Sequence, residues 1–100
     1  LLDWMRSHLS EPLPVERLAE RACMSPRNFA RSFAAETGMT PAKAVERLRL
    51  ETARSQVEDS SEPIDQVART AGFGDPERMR RAFLRAFGQP PQALRRAARA

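Results

Sequence analysis

The sequence predicts an all-α fold of seven helices, arranged as two similar halves joined by a long central helix. Three observations predict it: prolines stand at helix starts, strand-type alternation of apolar and polar residues is missing, and the chain repeats part of its own pattern. Proline fits the first helical turn, where its missing N–H has no partner, and it breaks a helix interior. With 100 residues, a single domain covers residues 1–100.

Residues at the ends of the predicted helices support this division. Ser25-Pro26, Thr40-Pro41 and Asp75-Pro76 each pair a capping side chain with a proline at the first helical position. Gly38 and Gly88 follow two of these helices, where a left-handed last residue is favoured. The seven predicted helices cover residues 1–9, 15–22, 26–37, 41–58, 64–71, 76–87 and 91–98.

Two segments of the chain share one pattern. Residues 15–22 match residues 64–71 at a shift of 49, and residues 26–41 match residues 76–91 at a shift of 50. Each copy contains a short helix, a tight turn and a second helix, which predicts a helix-turn-helix unit. The predicted organisation is a first subdomain at about residues 1–40, a linker helix at about 41–58 and a second subdomain at about 61–100.

The second helix of each unit has an apolar side and a charged side. On the helix at 26–37, Phe29 and Phe33 share one side, and Arg27 and Arg31 lie nearly opposite. The outward side of the helix at 76–87 carries Glu77, Arg80, Arg81 and Leu84. Arginine can bridge guanine O6 and N7 with two hydrogen bonds, worth roughly 1–3 kcal/mol of discrimination. Any surface helix shows such a stripe, but its occurrence in two capped copies favours base reading in the DNA major groove.

Positive charge is concentrated near the C-terminal end. Residues 1–77 have a net charge of −3, whereas residues 78–100 have a net charge of +7 from seven arginines and no acid. A basic surface attracts polyanions, and capped helix starts bind anions. The predicted DNA phosphate contacts are Thr40, Arg78, Arg85, Arg95 and Arg96. The alternative is a helical protein-interaction module that holds an acidic partner through the basic face at 78–99.

The composition argues against most enzyme classes. One histidine and one cysteine cannot form a His/Cys metal cluster, and no phosphate loop, carboxylate pair or nucleophile–base set stands out. We therefore expect no enzymatic activity and no cofactor. The apolar stretches are too short to span a membrane, and a single cysteine fits a reducing compartment. We expect that cysteine, Cys23, to fill a small space in the core.

The motifs of both halves resemble a known family. The first half contains Met24-Ser25-Pro26-Arg27, Phe29, Arg31, Phe33, Gly38 and Thr40-Pro41, and the second contains Val67-Ala68, Ala71-Gly72-Phe73, Arg81-Ala82-Phe83, Phe87-Gly88 and Pro90-Pro91. In this order, over nearly the whole chain, they resemble the DNA-binding domain of AraC/XylS-type bacterial transcription regulators. Such domains have seven helices in two helix-turn-helix subdomains, whose reading helices enter successive major-groove segments on one face of the duplex.

This resemblance implies specific base-reading positions. They are Arg27, Ala30 and Arg31 in the first subdomain and Pro76, Glu77, Arg80 and Arg81 in the second. Ala30 and Pro76 have no hydrogen-bonding side chain, so each can at most touch a thymine methyl group. The resemblance also implies sequence-specific binding to double-stranded DNA in the bacterial cytoplasm, at the nucleoid, with RNA polymerase as a further partner and no membrane contact.

The resemblance implies a longer protein as well. Family members usually carry this domain behind an N-terminal sensor domain, and residues 24–33 look most like members whose sensor resembles a class I glutamine amidotransferase. Because the chain begins at Leu1 without methionine, we expect a fragment of such a regulator. Ala44 and Leu94 depart from the family pattern, since they stand where an aromatic residue is common, and this departure puts the local packing in question.

Overall fold

The computed structural model describes all 100 residues and contains seven α-helices and no strand. They are α1 (Leu2–Ser7), α2 (Val15–Arg21), α3 (Pro26–Thr37), α4 (Pro41–Asp59), α5 (Ile64–Thr70), α6 (Pro76–Phe87) and α7 (Pro91–Ala98). The all-α prediction is confirmed, and only α1 differs from its predicted bounds by more than a residue at either end. It ends at Ser7 because the His8 N–H bonds to the Met5 carbonyl at 3.0 Å, a tighter turn than the α-helix has.

The predicted caps hold both ends of α3 and α6. The Ser25 side chain accepts a hydrogen bond from the backbone N–H three residues later at 3.2 Å, and the Asp75 carboxylate does the same at 2.8 Å. Gly38 and Gly88 end the two helices with φ values of 76° and 74°. Because the same devices start and stop both helices, α3 and α6 have the same length of 12 residues.

The chain divides into two compact units, Leu1–Leu48 and Arg49–Ala100, and the division falls within α4. In the first unit α2 packs against α3. Its core consists of Met5, Leu9, Leu13, Leu18, Ala19, Phe29, Phe33, Ala44, Val45 and Leu48. Ala44 is therefore buried without the aromatic side chain that the family pattern favours at this position.

Trp4 covers part of the first unit's core. Its ring stacks on that of His8, with the ring centroids 4.3 Å apart. The guanidinium carbons of Arg17 and Arg21 lie 5.2 and 5.5 Å from the Trp4 ring centroid. Cation–π contacts of this length stabilise by roughly 0.5–1 kcal/mol at exposed sites, so they help to attach α1 to α2.

In the second unit α5 packs against α6, and α6 contacts α7. The core of this unit consists of Ala53, Val57, Val67, Ala68, Ala71, Met79, Phe83 and Leu94. Phe83 meets Phe87 edge to face at 5.1 Å between ring centroids. None of the seven helices is both long and apolar enough to span a membrane.

Candidate nucleic-acid interface

The same tight turn connects the two helices in each unit. The Met24 N–H bonds to the Ala19 carbonyl at 2.9 Å, and the Phe73 N–H bonds to the Ala68 carbonyl at 2.8 Å. A hydrogen bond across five residues closes each turn and fixes the direction in which the second helix leaves it. The two turns therefore present α3 and α6, each within its own unit, in the same way.

The interpretation of Cys23 as a core residue is wrong. Cys23 is exposed, and its backbone adopts a left-handed conformation with φ 59°. The second turn places Gly72 at the equivalent position with φ 96°, so this turn geometry requires a positive φ. A residue with a Cβ atom pays roughly 1–2 kcal/mol for that conformation. The alignment of Ala22-Cys23 with Ala71-Gly72 was the signal in the sequence.

On α3, Arg27 and Arg31 lie on the solvent side, one helical turn apart. Both side chains are exposed, and neither forms a hydrogen bond or ion pair within the protein. Phe29 and Phe33 are buried beneath them, with ring centroids 5.6 Å apart. Ala30, also predicted to face DNA, is partly buried. α3 thus holds two uncompensated guanidinium groups on a helix that is anchored from behind.

The outward side of α6 carries an acid between its arginines. Glu77 Oε1 lies 3.5 Å from Nη1 of Arg80 and 3.8 Å from Nε of Arg81, and all three side chains are more than half exposed. Pro76, at the start of the helix, is also exposed. Exposed ion pairs contribute about 0–1 kcal/mol and weaken in salt. Both arginines can therefore exchange Glu77 for another partner at little cost.

Of the predicted phosphate contacts, Thr40, Arg78, Arg85 and Arg96 are exposed. The Thr40 hydroxyl accepts a hydrogen bond from the Lys43 N–H at 3.2 Å and so caps the first turn of α4. Arg78 Nε lies 3.8 Å from the Asp75 carboxylate. Arg78, Arg85 and Arg96 thus add exposed positive charge to the second unit, and Thr40 gives the first unit a capped helix start.

Arg95 differs from the other predicted phosphate contacts. Its Nε donates to the Val57 carbonyl in the last turn of α4 at 2.9 Å, and its Nη2 is buried without a hydrogen-bond partner. Arg99 Nη2 donates to the Ser60 carbonyl at 3.0 Å and to the Ser61 hydroxyl at 3.1 Å. Positive charge is favourable at the carbonyl end of a helix. Because its guanidinium is engaged inside its own unit, we leave Arg95 out of the interface.

The fold and these surfaces define a class of protein, a DNA-binding domain with two helix-turn-helix units. A helix-turn-helix domain family matches residues 18–97 of the chain. The chain is 45% identical over 83 residues to the HTH-type transcriptional regulator Rv1931c of Mycobacterium tuberculosis, covering 83% of this chain and 32% of that protein. It is 38% identical over 95 residues to the HTH-type transcriptional activator RhaS of Yersinia pestis, covering 95% and 35%. The chain thus spans about a third of the length of the curated relatives it matches.

Solved structures of DNA-binding domains from transcription regulators also match the chain. The DNA-binding domain of AdpA, a global transcriptional factor crystallised with a target DNA, matches with a TM-score of 0.92 and 39% identity, over 98% of this chain and 88% of that chain. A transcriptional regulator with an AraC-type DNA-binding domain, from Chromobacterium violaceum, matches with a TM-score of 0.88 and 26% identity, over 97% and 87%. The chain belongs to the AraC-type family of helix-turn-helix DNA-binding domains of transcription regulators.

Proposed function

We propose that this chain is the part of a bacterial transcription regulator that reads double-stranded DNA, with α3 and α6 each placed in a segment of the major groove. The observation that carries the proposal is the exposed arginine pair on each helix, on a capped scaffold that occurs twice. The similarity to the AdpA domain, which was crystallised with its target DNA, supports it.

The proposed base contacts follow from side-chain chemistry. Arg27 and Arg31 each bridge O6 and N7 of a guanine, and since they lie four residues apart they are about 6 Å apart along the helix. That distance corresponds to nearly two base-pair steps of about 3.4 Å. Ala30 lies between them and offers only a methyl contact to thymine.

On α6 the proposed contacts include an acceptor as well as donors. Arg80 and Arg81 donate to guanines, and Glu77 accepts from the N4 amino group of a cytosine. Pro76 offers an apolar contact at the start of the helix. Glu77 lies within 3.8 Å of both arginines. This position supports a role in which its carboxylate pairs with the arginines and also accepts a hydrogen bond from the DNA.

Phosphate contacts would fix the domain on the duplex without reading its sequence. We assign them to the first turn of α4 at Thr40 and to Arg78, Arg85 and Arg96, which are all exposed. Such contacts make the affinity fall as the salt concentration rises.

For the whole protein we propose a regulator that acts in the bacterial cytoplasm at the nucleoid, without enzymatic activity and without membrane attachment. An N-terminal sensor domain, with residues 24–33 pointing to one like a class I glutamine amidotransferase, and RNA polymerase would be its further partners. Support comes from the curated relatives, which are regulators and activators about three times as long as this chain.

The structure favours DNA over an acidic protein as the partner of the basic face at 78–99. Arg95 and Arg99 are bound to backbone carbonyls of their own unit. Arg78, Arg80 and Arg81 lie on α6, the second helix of a helix-turn-helix unit, and their ion pairs are exposed and weak. These arginines of the basic face can still exchange partners, and they lie on the helix that is proposed to read DNA.

The proposal is tested by selecting bound duplexes from a random pool at a fixed salt concentration. We expect one enriched motif with two boxes about one helical turn, or ~10 base pairs, apart. Binding to any duplex without an enriched motif would contradict the proposal.

Single substitutions then assign each box. Arg31→Ala should cost roughly 1–3 kcal/mol of binding free energy and relax base preference in one box, and Arg81→Ala should do so in the other. Arg69→Ala, which removes an exposed arginine of α5, is the matched control and should leave both boxes unchanged. Equal weakening on selected and scrambled duplexes would reassign Arg31 to a phosphate, and loss confined to one box for both variants would rule out reading by two units.

A further inference from the structure

Leu84 is the one large apolar side chain on the arginine-rich side of α6. It is 37% exposed, whereas Met79 and Phe83 of the same helix are completely buried. Leu84 follows Arg80 by four residues and Arg81 by three, so helical geometry places it beside both arginines. A leucine thus stands within the surface that is proposed to face DNA.

The scaffold does not require a leucine at this position. The equivalent residue of the first unit, fifty positions earlier, is Ala34, which is also exposed. α3 and α6 nevertheless have the same length, each with a side-chain N-cap and a glycine C-cap, and each has a buried phenylalanine at the equivalent position, Phe33 or Phe83. Leu84 makes no part of the core of its unit. The core of the unit therefore does not require a side chain of this size, and the exposed part of Leu84 is available for contact with a partner.

We propose that Leu84 determines sequence specificity by packing against the C5-methyl group of a thymine in the box that α6 reads. The inference rests on the proposed function, because it requires α6 to lie in the major groove. The thymine methyl is the apolar group that base pairs present there. Leu84 lies about 6 Å beyond Arg80 along the helix, or nearly two base-pair steps. It would select an A·T pair about two steps from the guanine that Arg80 contacts.

The test removes the methyl group alone. Each thymine of the α6 box in the selected duplex is replaced in turn by deoxyuridine, and the affinity of the chain is measured. We expect one replacement to weaken binding about three- to tenfold, since a buried methyl group contributes on the order of 0.8 kcal/mol and somewhat more when closely packed. Leu84→Ala should bind the thymine and deoxyuridine duplexes equally, and Leu84→Met, which keeps an apolar side chain, should retain part of the difference.

Two controls test whether the deoxyuridine effect is specific to Leu84 and whether Leu84→Ala remains folded. Leu2→Ala removes another exposed leucine, outside the proposed interface, and should leave the deoxyuridine effect intact. The circular dichroism of Leu84→Ala should match the parent, because the side chain is not in the core. Either no sensitive thymine in the parent, or undiminished sensitivity in Leu84→Ala, overturns the inference. If two boxes are enriched but no thymine is sensitive, only the role of Leu84 fails; if no box is enriched, the proposed function fails with it.

Discussion

The two helix-turn-helix units share a scaffold but carry different charges on it. On α3, Arg27 and Arg31 form no ion pair or hydrogen bond with the protein. On α6, Glu77 lies within 3.8 Å of both Arg80 and Arg81. Caps, turn and phenylalanine anchors thus fix where the side chains stand, while individual residues on the outward side decide how much of the positive charge is available to a partner.

The different pairing of the arginines on α3 and α6 should affect how each helix binds DNA. The α3 arginines have no ion pair within the protein, so they can bind any phosphate or base edge directly. The α6 arginines must first weaken or break their ion pairs with Glu77. A carboxylate also repels phosphates, so it disfavours weak contacts with the DNA backbone. We therefore expect α3 to contribute more of the general affinity and α6 more of the discrimination between sequences.

The largest effect should come from removing the anchor beneath a reading helix. Phe83→Ala should lower the free energy of unfolding by about 3–5 kcal/mol, since the side chain is completely buried and its loss leaves a cavity. Phe33→Ala, at the equivalent position with 8% of the residue exposed, should cost somewhat less. Urea denaturation followed by circular dichroism measures both. A cost below about 1 kcal/mol for Phe83→Ala would show that α6 is not held by this core.

Substituting the left-handed residue of each turn should change the free energy of unfolding in opposite directions. Gly72→Ala should destabilise by about 1–2 kcal/mol, because a Cβ atom is unfavourable at φ 96°. Cys23→Gly should stabilise by a few tenths to about 1 kcal/mol, since relief of the backbone strain exceeds the entropy lost by glycine.

Cys23→Ala is the control for the turn, because it removes the thiol but keeps the Cβ atom. Its free energy of unfolding, measured by the same urea denaturation, should equal that of the parent. If Cys23→Ala stabilises as much as Cys23→Gly, the thiol rather than the backbone is unfavourable, and the proposed equivalence of the two turns is wrong.

The smallest effect should come from neutralising the acid of α6. Glu77→Gln should raise the affinity for scrambled duplexes about two- to fivefold at low salt, because it frees two arginines, and it should lower the ratio of specific to non-specific binding. Glu36→Gln makes the same change of charge on α3 at an acid that forms no ion pair, and it should have a smaller effect. Equal effects of the two variants would mean that net charge alone is responsible.

Helix positions were predictable from the sequence because the signals are local. A cap followed by proline defines the start of α3 and α6, and glycine in the left-handed conformation ends both. The exposed position of the α3 arginines also follows from helical periodicity. The end of α1 was missed because the tight turn at His8 has no comparable marker in the sequence.

Contacts between distant residues were not predictable in the same way. Nothing local distinguishes Arg95 from Arg96, yet Arg95 reaches a carbonyl 38 residues earlier in the chain. Cys23 was misplaced because residue type predicts burial, whereas its exposure follows from the backbone conformation that the turn imposes.

Trp4 is an intrinsic fluorophore that lies in the first unit only. The chain contains one tryptophan and no tyrosine, and Trp4 lies in the first unit. Its fluorescence therefore follows the unfolding of that unit, while circular dichroism follows the helices of both. Coincident transitions would show that the halves melt together, and separate transitions would rank their stabilities without any added dye.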